Sequence, residues 1–295
     1  MAFVATLISD PRAPAITEAL LRAARQALGT EHPAHRLHCE FAADLLFDGA
    51  EAHAAALRAA LAGEPIDIVV QPAARHRRKR LFLADMDSTM IGQECIDELA
   101  DYVGHKSEVA AITERAMRGE TAFEPALRER VALLKGLPVG VINEILESRI
   151  TLAPGGRTLV RTLRAHGART CLVSGGFTLF TGPIAERIGF DEHRSNRLVL
   201  DGETLAGRVE EPILGREAKL AALVALRERF GLSREDTLAV GDGANDLAML
   251  AEAGLGVAFR AKPAVAAAAH ARVDHGDLTA LLYVQGYTAA ELVEG

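Results

Sequence analysis

Apolar and polar positions in the N-terminal quarter of the chain alternate between two periods. Phe3–Ile8 is an apolar run of strand length, whereas apolar residues between Ile16 and Leu28 recur at helical spacing. Two short extended runs follow, His35–Phe41 and Ala43–Phe47. Glu51–Leu61 is an Ala/Leu-rich helical pattern, and Ile66–Val70 is a β-branched strand. The predicted order β-α-β-β-α-β is that of the split βαβ, or ferredoxin-like, plan.

Beyond residue 80 the pattern changes. Apolar runs at 81–85, 169–173, 237–241 and 255–259 predict strands, with helical segments between them. That alternation defines an α/β fold, here a Rossmann-like parallel sheet core. Two stretches interrupt it. Gly92 to about Ser148 is helix-rich and too long for a simple crossover, so it reads as an inserted helical cap. Residues 197–211, RLVLDGETLAGRVEE, read as a small β-hairpin insertion with Asp201-Gly202 at the turn. The expected division is a ferredoxin-like α+β module at 1–75 and an α/β domain at 76–295, with the cap at about 92–148.

Composition narrows the class. The 295 residues carry 33 basic and 40 acidic side chains, a formal charge of −7, with 49% apolar and 25% charged residues. This balance excludes global disorder, and the negative excess argues against a nucleic-acid partner. Of the basic residues, only five are Lys, at 79, 106, 135, 219 and 262. PAARHRRKR, residues 72–80, has no interleaved aromatics and reads as a solvated hinge. His32, His35 and His38 lack a known ligand arrangement and read as surface histidines. Cys39, Cys95 and Cys171 show neither CxxC nor metal spacing and suit a reducing cytosol. No apolar run reaches the roughly 18 residues that span a bilayer. The stretch MAFVATLISDPRAP lacks a basic start, so a cytoplasmic protein without a membrane partner is expected.

Chemistry concentrates at strand ends. LFLADMDST, residues 81–89, runs into Asp85 and Asp87, two carboxylates that repel unless a cation or a proton intervenes. Alone, the pair reads either as a site or as a solvated loop. LAVGDGANDLAML, residues 238–250, begins like a dinucleotide fingerprint but has Asp246 at the sixth place. A carboxylate there favours a hard cation, and Asp85 with Asp242 supplies oxygen ligands suited to Mg²⁺. CLVSGGF, residues 171–177, offers a hydroxyl and unobstructed backbone to a phosphate oxygen, or is an ordinary strand–turn–helix. Lys219 alone reads as a surface helix lysine.

In that order, Asp85-Met-Asp87-Ser-Thr89, Ser174, Lys219 and Gly241-Asp242-Gly-Ala-Asn245-Asp246 resemble the four motifs of the haloacid dehalogenase-like superfamily. The phosphoserine phosphatase branch is closer still, through ECIDELA (94–100), AMRGETAF (116–123) and LRERVALLKGL (127–137). This resemblance implies Mg²⁺-dependent hydrolysis of O-phosphoserine to serine and phosphate through an aspartyl-phosphate, the last step of serine biosynthesis. By it, Asp85 is the nucleophile and Asp87 the general acid and base, with Mg²⁺ on Asp85, the Asp87 carbonyl and Asp242. Ser174, Gly175, Lys219 and Asn245 would bind substrate, Asp246 would orient Lys219 or a metal-bound water, and Met117 and Phe123 would line an apolar wall. Glu94 would face the substrate ammonium and Arg130 its carboxylate, although alone both read as helix surface charge. A phosphotransferase, or a phosphatase for another small phosphorylated amino acid, stays open. The N-terminal element order also resembles ACT-type amino-acid-binding modules, which leaves a regulatory sensor, a structural module and a homodimer through this module as alternatives.

Overall fold

The computed structural model describes residues 2–49, 51–73, 76–117 and 120–294, apart from the side chains of Glu51 and Met117. The wall residue Met117, the Arg118-Gly119 part of AMRGETAF and the Ala74-Arg75 part of the basic run therefore fall wholly or partly outside the described residues.

The N-terminal elements are β1 (Ala2–Ser9), α1 (Glu18–Leu28), β2 (His35–His38), β3 (Ala42–Asp48), α2 (Glu51–Ala60) and β4 (Ile66–Pro72). The strands form an antiparallel sheet in the order β2-β3-β1-β4, as the ferredoxin-like plan requires. Helix α1 starts two residues later than its apolar pattern because Thr17 caps it, the hydroxyl accepting from Leu20 N–H at 3.2 Å. Both faces of β1 are buried. Ala5 and Leu7 pack under α1 and α2, while Ile8 joins a second core with Tyr283 near the C-terminus.

Among the described residues of the basic run, Arg77 and Lys79 are not solvated as a hinge would be. Arg77 donates to Asp44 Oδ1 and Oδ2 at 2.8 and 2.5 Å, to Thr6 Oγ1 at 2.8 Å, and to the carbonyls of Val284 and Tyr283. The Lys79 ammonium donates to the carbonyls of His76 and Glu235 at 3.0 and 2.6 Å, and Arg78 lies 4.1 Å over the Tyr287 ring. Buried acceptors distant in sequence draw these cations inward.

The second sheet has the parallel order β12-β11-β10-β5-β6-β7, formed by β5 (Leu81–Ala84), β6 (Arg169–Phe177), β7 (Glu192–Asn196), β10 (Thr237–Gly241), β11 (Leu255–Phe259) and β12 (Ala271–Val273). Central β5 is apolar throughout because helices cover both faces: Leu81 and Leu83 enter one core, Phe82 and Ala84 the other. Between β5 and β6 lie α3 (Cys95–Tyr102), α4 (Lys106–Met117), α5 (Phe123–Ala132), α6 (Gly140–Ser148) and α7 (Gly156–Ala165). The inserted helices leave and return through one stem, where Ile91 bridges Leu152 and Gly92 N–H donates to Thr151 O at 3.0 Å.

Helix α8 (Thr178–Ile188) follows β6, and the hairpin β8 (Leu198–Asp201) and β9 (Thr204–Val209) precedes α9 (Arg216–Arg229). Asp201 pairs with Thr204, so the hairpin loop is Gly202-Glu203, one residue later than expected. The hairpin buttresses the inserted helices through Leu205, whose N–H donates to Leu137 O at 2.9 Å. The chain closes with α10 (Leu247–Glu252), α11 (Pro263–Ala268) and α12 (Ala280–Val284). No helix among the described residues is long and apolar enough to cross a membrane.

Candidate active site

The sheet grows to opposite sides of β5, with β6 on one flank and β10 on the other. This switch point opens a crevice beyond the strand C-termini, where ligands bind in open α/β sheets. Asp85 follows β5 directly and is 5% exposed. Its N–H donates to Val240 O at 3.0 Å, and its Oδ1 accepts from Met86 N–H at 2.8 Å. The Lys219 ammonium of α9 stands 2.7 Å from Asp85 Oδ1 and 2.6 Å from Asp246 Oδ1. A Cβ at position 241 would lie 2.4 Å from Asp246 Cγ, so glycine there admits this carboxylate.

Burial, then the Asp246 charge, pushes the Asp85 carboxyl well above the usual range, with Lys219 opposing. Burial also raises Asp242, which accepts from Thr89 Oγ1 at 3.1 Å. Lys219 loses by burial but is held above its ordinary value by Asp85 and Asp246. Carboxylate oxygens of Asp85, Asp242 and Asp246 lie within 4.8 Å of one another. This crowd of hard oxygens, buried at Asp85 and Asp246 and half-buried at Asp242, fits a metal ion, which could be held there. Asp246 is thus part of the cluster and not only a partner of Lys219. Exposed or half-buried His38, Cys39 and Glu40 also come within 4.8 Å, but His38 Nδ1 already accepts from Glu40 N–H.

Asp87 points elsewhere. Its Oδ1 accepts from Cys95 N–H at 2.9 Å and its Oδ2 from the Ser174 hydroxyl at 3.1 Å. Burial raises this carboxyl too, against the lowering effect of those bonds. Ser88, at φ +57°, turns the chain after Asp87 and donates to Glu94 Oε1 at 2.7 Å. Ser174-Gly175-Gly176 is not a turn into a helix, because β6 continues to Phe177 with a register shift against β7 between Val173 and Phe177. The bulge aims Ser174 inward. A Cβ on Gly176 would sit 3.2 Å from Asp87 Oδ2, and one on Gly175 would sit 3.3 Å from Phe123.

A cavity of about 160 Å³ brings Asp85, Asp87, Ser174, Gly175, Asp242 and Asn245 from the core opposite Glu94, Phe123 and Arg130 from the inserted helices. Lys219 lies behind Asp85 and outside this lining. Arg130 donates to Ala126 O at 3.3 Å and Thr113 Oγ1 at 3.4 Å. Glu94 is pushed up to about 7, by burial first and then by Asp87.

Two residues at the site escaped the sequence reading. Asn196, 2% exposed, donates to Gly175 O at 2.8 Å and Leu214 O at 3.1 Å and accepts from Leu214 N–H at 2.6 Å. It thereby ties the Ser-Gly-Gly bulge to the segment leading into α9. An Asn beside a hairpin gives no such signal in sequence. Lys262 lines the cavity from the loop after β11, where only its strand-end position is a clue.

Paired carboxylates, a buried lysine and a serine stand together at the switch point of a parallel sheet beneath inserted helices, the site of an α/β protein built to meet an anion and a cation. The sequence model of the haloacid dehalogenase-like hydrolases matches residues 82–251, more than half of the chain, and the chain belongs to this family. It is 44% identical to a phosphoserine phosphatase of Mycobacterium tuberculosis over 238 residues, 80% of this chain. The chain spans 58% of that relative's length. A phosphoserine phosphatase of Albidiferax ferrireducens is 47% identical over 69% of this chain and 88% of its own. Among solved structures, a HAD family hydrolase of Salmonella enterica serovar Typhi superposes with a TM-score of 0.85 at 29% identity, covering 96% of this chain and 98% of that one.

Proposed function

We propose that the protein is a phosphoserine phosphatase that hydrolyses O-phosphoserine to serine and phosphate. The observation that carries this reading is one small cavity joining Asp85 and Asp87 on the core to Glu94 and Arg130 on the inserted helices. A phosphate and an amino acid thus find opposite walls. The relatives named above, both phosphoserine phosphatases, support it.

In this reading Asp85 attacks phosphorus, and the bond to the seryl oxygen breaks as an aspartyl-phosphate forms. Asp87, its carboxyl raised by burial, starts protonated and gives its proton to the leaving seryl oxygen. It then takes a proton from the water that cleaves the acyl phosphate. Ser174 and the Gly175 backbone position the phosphoryl oxygens, Asn245 hydrogen-bonds beside them, and Lys219 offsets charge behind Asp85. Glu94 receives the substrate ammonium, and Arg130 binds its carboxylate through two parallel bonds. Asp85, Asp242 and Asp246, with the Asp87 carbonyl, would hold Mg²⁺, which offsets negative charge and orients the phosphoryl group when bound.

The proposed organisation is a module at 1–75, a catalytic domain at 76–295 and a cap at about 92–148 that closes over substrate. A homodimer through the module would use its helices or its β2 edge, because the other sheet face is packed against α12. Three free cysteines, one of them exposed, suit the cytoplasm.

The test is phosphate release from a panel of phosphorylated amino acids and sugars, with Mg²⁺ or with EDTA. Phosphoserine should be preferred, and Asp85→Asn should lose at least about a thousandfold in kcat. Full activity in that variant removes the nucleophile, and preference for a sugar phosphate removes the substrate.

A further inference from the structure

The charged groups facing the cavity do not balance. Asp85, Asp87, Glu94 and Asp242 line it, against Arg130 and Lys262. The Lys219 ammonium is already committed to Asp85 and Asp246. Arg130 sits on the cap wall, where its guanidinium donates to Thr113 and Ala126. Lys262 differs from both, since its side chain is exposed and among the described residues no carboxylate stands within 4.0 Å of its ammonium.

The position of Lys262 is fixed by its backbone. Its N–H donates to the carbonyl of Asp242 at 3.2 Å, and its own carbonyl accepts from Val265 and Ala266 N–H at 2.9 and 3.0 Å. Two residues earlier Arg260 adopts φ +45°, and its N–H donates to Val273 O at 2.8 Å, which turns the chain off β11 toward the cavity. The stem of the side chain thus starts beside the carboxylate cluster, and the residue is exposed while its charge still acts on Asp242. In a chain with five lysines, two stand at this one site.

We propose that Lys262 is a substrate-binding residue that takes the phosphate group of the incoming monoester at the mouth of the cavity and guides it past the carboxylates. The inference rests on the reading that this cavity takes a phosphate monoester. Carboxylates outnumber the cationic side chains along the lining, and even with a cation held by the aspartate cluster an exposed ammonium at the mouth adds local attraction for an incoming dianion. A flexible lysine suits a group that must be met and then handed inward, where a guanidinium fork would hold it in one orientation. The side chain follows the ligand into the pocket and afterwards escorts inorganic phosphate out.

The test compares Lys262→Ala, Lys262→Gln and Lys262→Arg in the full chain with Mg²⁺ present. Lys262→Ala and Lys262→Gln should raise KM for the phosphomonoester about tenfold with kcat within about twofold, and should flatten the fall of kcat/KM with salt. Lys262→Arg should recover most of the loss. Calorimetric titration of inorganic phosphate should weaken by a similar factor in Lys262→Ala. That arm needs no turnover, so it stays readable if the monoester is something other than phosphoserine. An unchanged KM, salt slope and phosphate affinity in Lys262→Ala would overturn the proposal, as would equal losses in all three variants.

Discussion

Glu94 meets opposing demands from binding and from folding. Ionised, it can hold an ammonium; neutral, it is easier to bury beside Asp87. Its carboxyl is pushed from 4.5 up to about 7, so the folded protein binds this proton more tightly than the unfolded chain does. Its contribution to stability is therefore full below the unfolded value and is lost as pH rises through about 7, roughly 3 kcal/mol for a shift of that size. Glu94→Gln stays neutral throughout. Thermal unfolding without metal should show it more stable than the parent at pH 8 and matched to it near pH 4.5; on the proposed function, KM for phosphoserine should rise at pH 8 and change little near pH 4.5, where the parent's carboxyl is also neutral. An equal difference in unfolding temperature at the two pH values would remove burial as the cause. At this scale the sequence was legible where chemistry sits at the end of an apolar strand, as at Asp85, Ser174 and Asp242. Asn196 and Lys262 were not, because each is an ordinary polar residue whose role depends on loops that only the fold brings near.

Elements were legible where they are buried on both faces. The apolar runs of β5, β10 and β11 can satisfy themselves only as central strands, whereas the polar edge strand β7, EHRSN, and the short β12 carry no pattern. The bulge in β6 was missed because Ser-Gly-Gly equally marks a turn. A different constraint fixes α10 on β11. At Gly256 a Cβ would stand 2.0 Å from the carbonyl oxygen of Leu250, so helix and strand backbones meet there without a side chain between them. Gly256→Ala must push α10 away, and Asp246, the residue before that helix, moves with it. Denaturant unfolding should register a loss of about 2 kcal/mol or more, accompanied by reduced kcat. A loss under about 0.5 kcal/mol would mean that the two elements yield more easily than so close an approach allows.

On the scale of the whole molecule, the N-terminal antiparallel sheet and the α/β part of the chain share apolar and ionic ground. Ile8, Leu37, Ala42 and Val69 from the module lie in one core with Leu282 and Tyr283, and the Asp67 carboxylate accepts from the N–H groups of Asp274, His275 and Gly276. Arg77 crosses the joint, with side chains 17% exposed for itself and 6% for Asp44. Charge patterning alone suggested a solvated run because the acceptors lie 33 and more than 200 residues away in sequence. Arg77→Ala leaves the Asp44 carboxylate buried and unpaired, which should cost about 3–5 kcal/mol. Removing both groups in Arg77→Ala/Asp44→Ala should cost less than the sum of the single losses, since no orphaned charge remains. None of the described module residues lines the catalytic cavity, so kcat per folded molecule should hold in each variant. Thermal unfolding and limited proteolysis between the module and β5 would follow the joint, and activity would follow the site. Additive losses would show that Arg77 acts through its bonds to the Val284 and Tyr283 carbonyls, and a fall in kcat without a fall in stability would tie the module to catalysis.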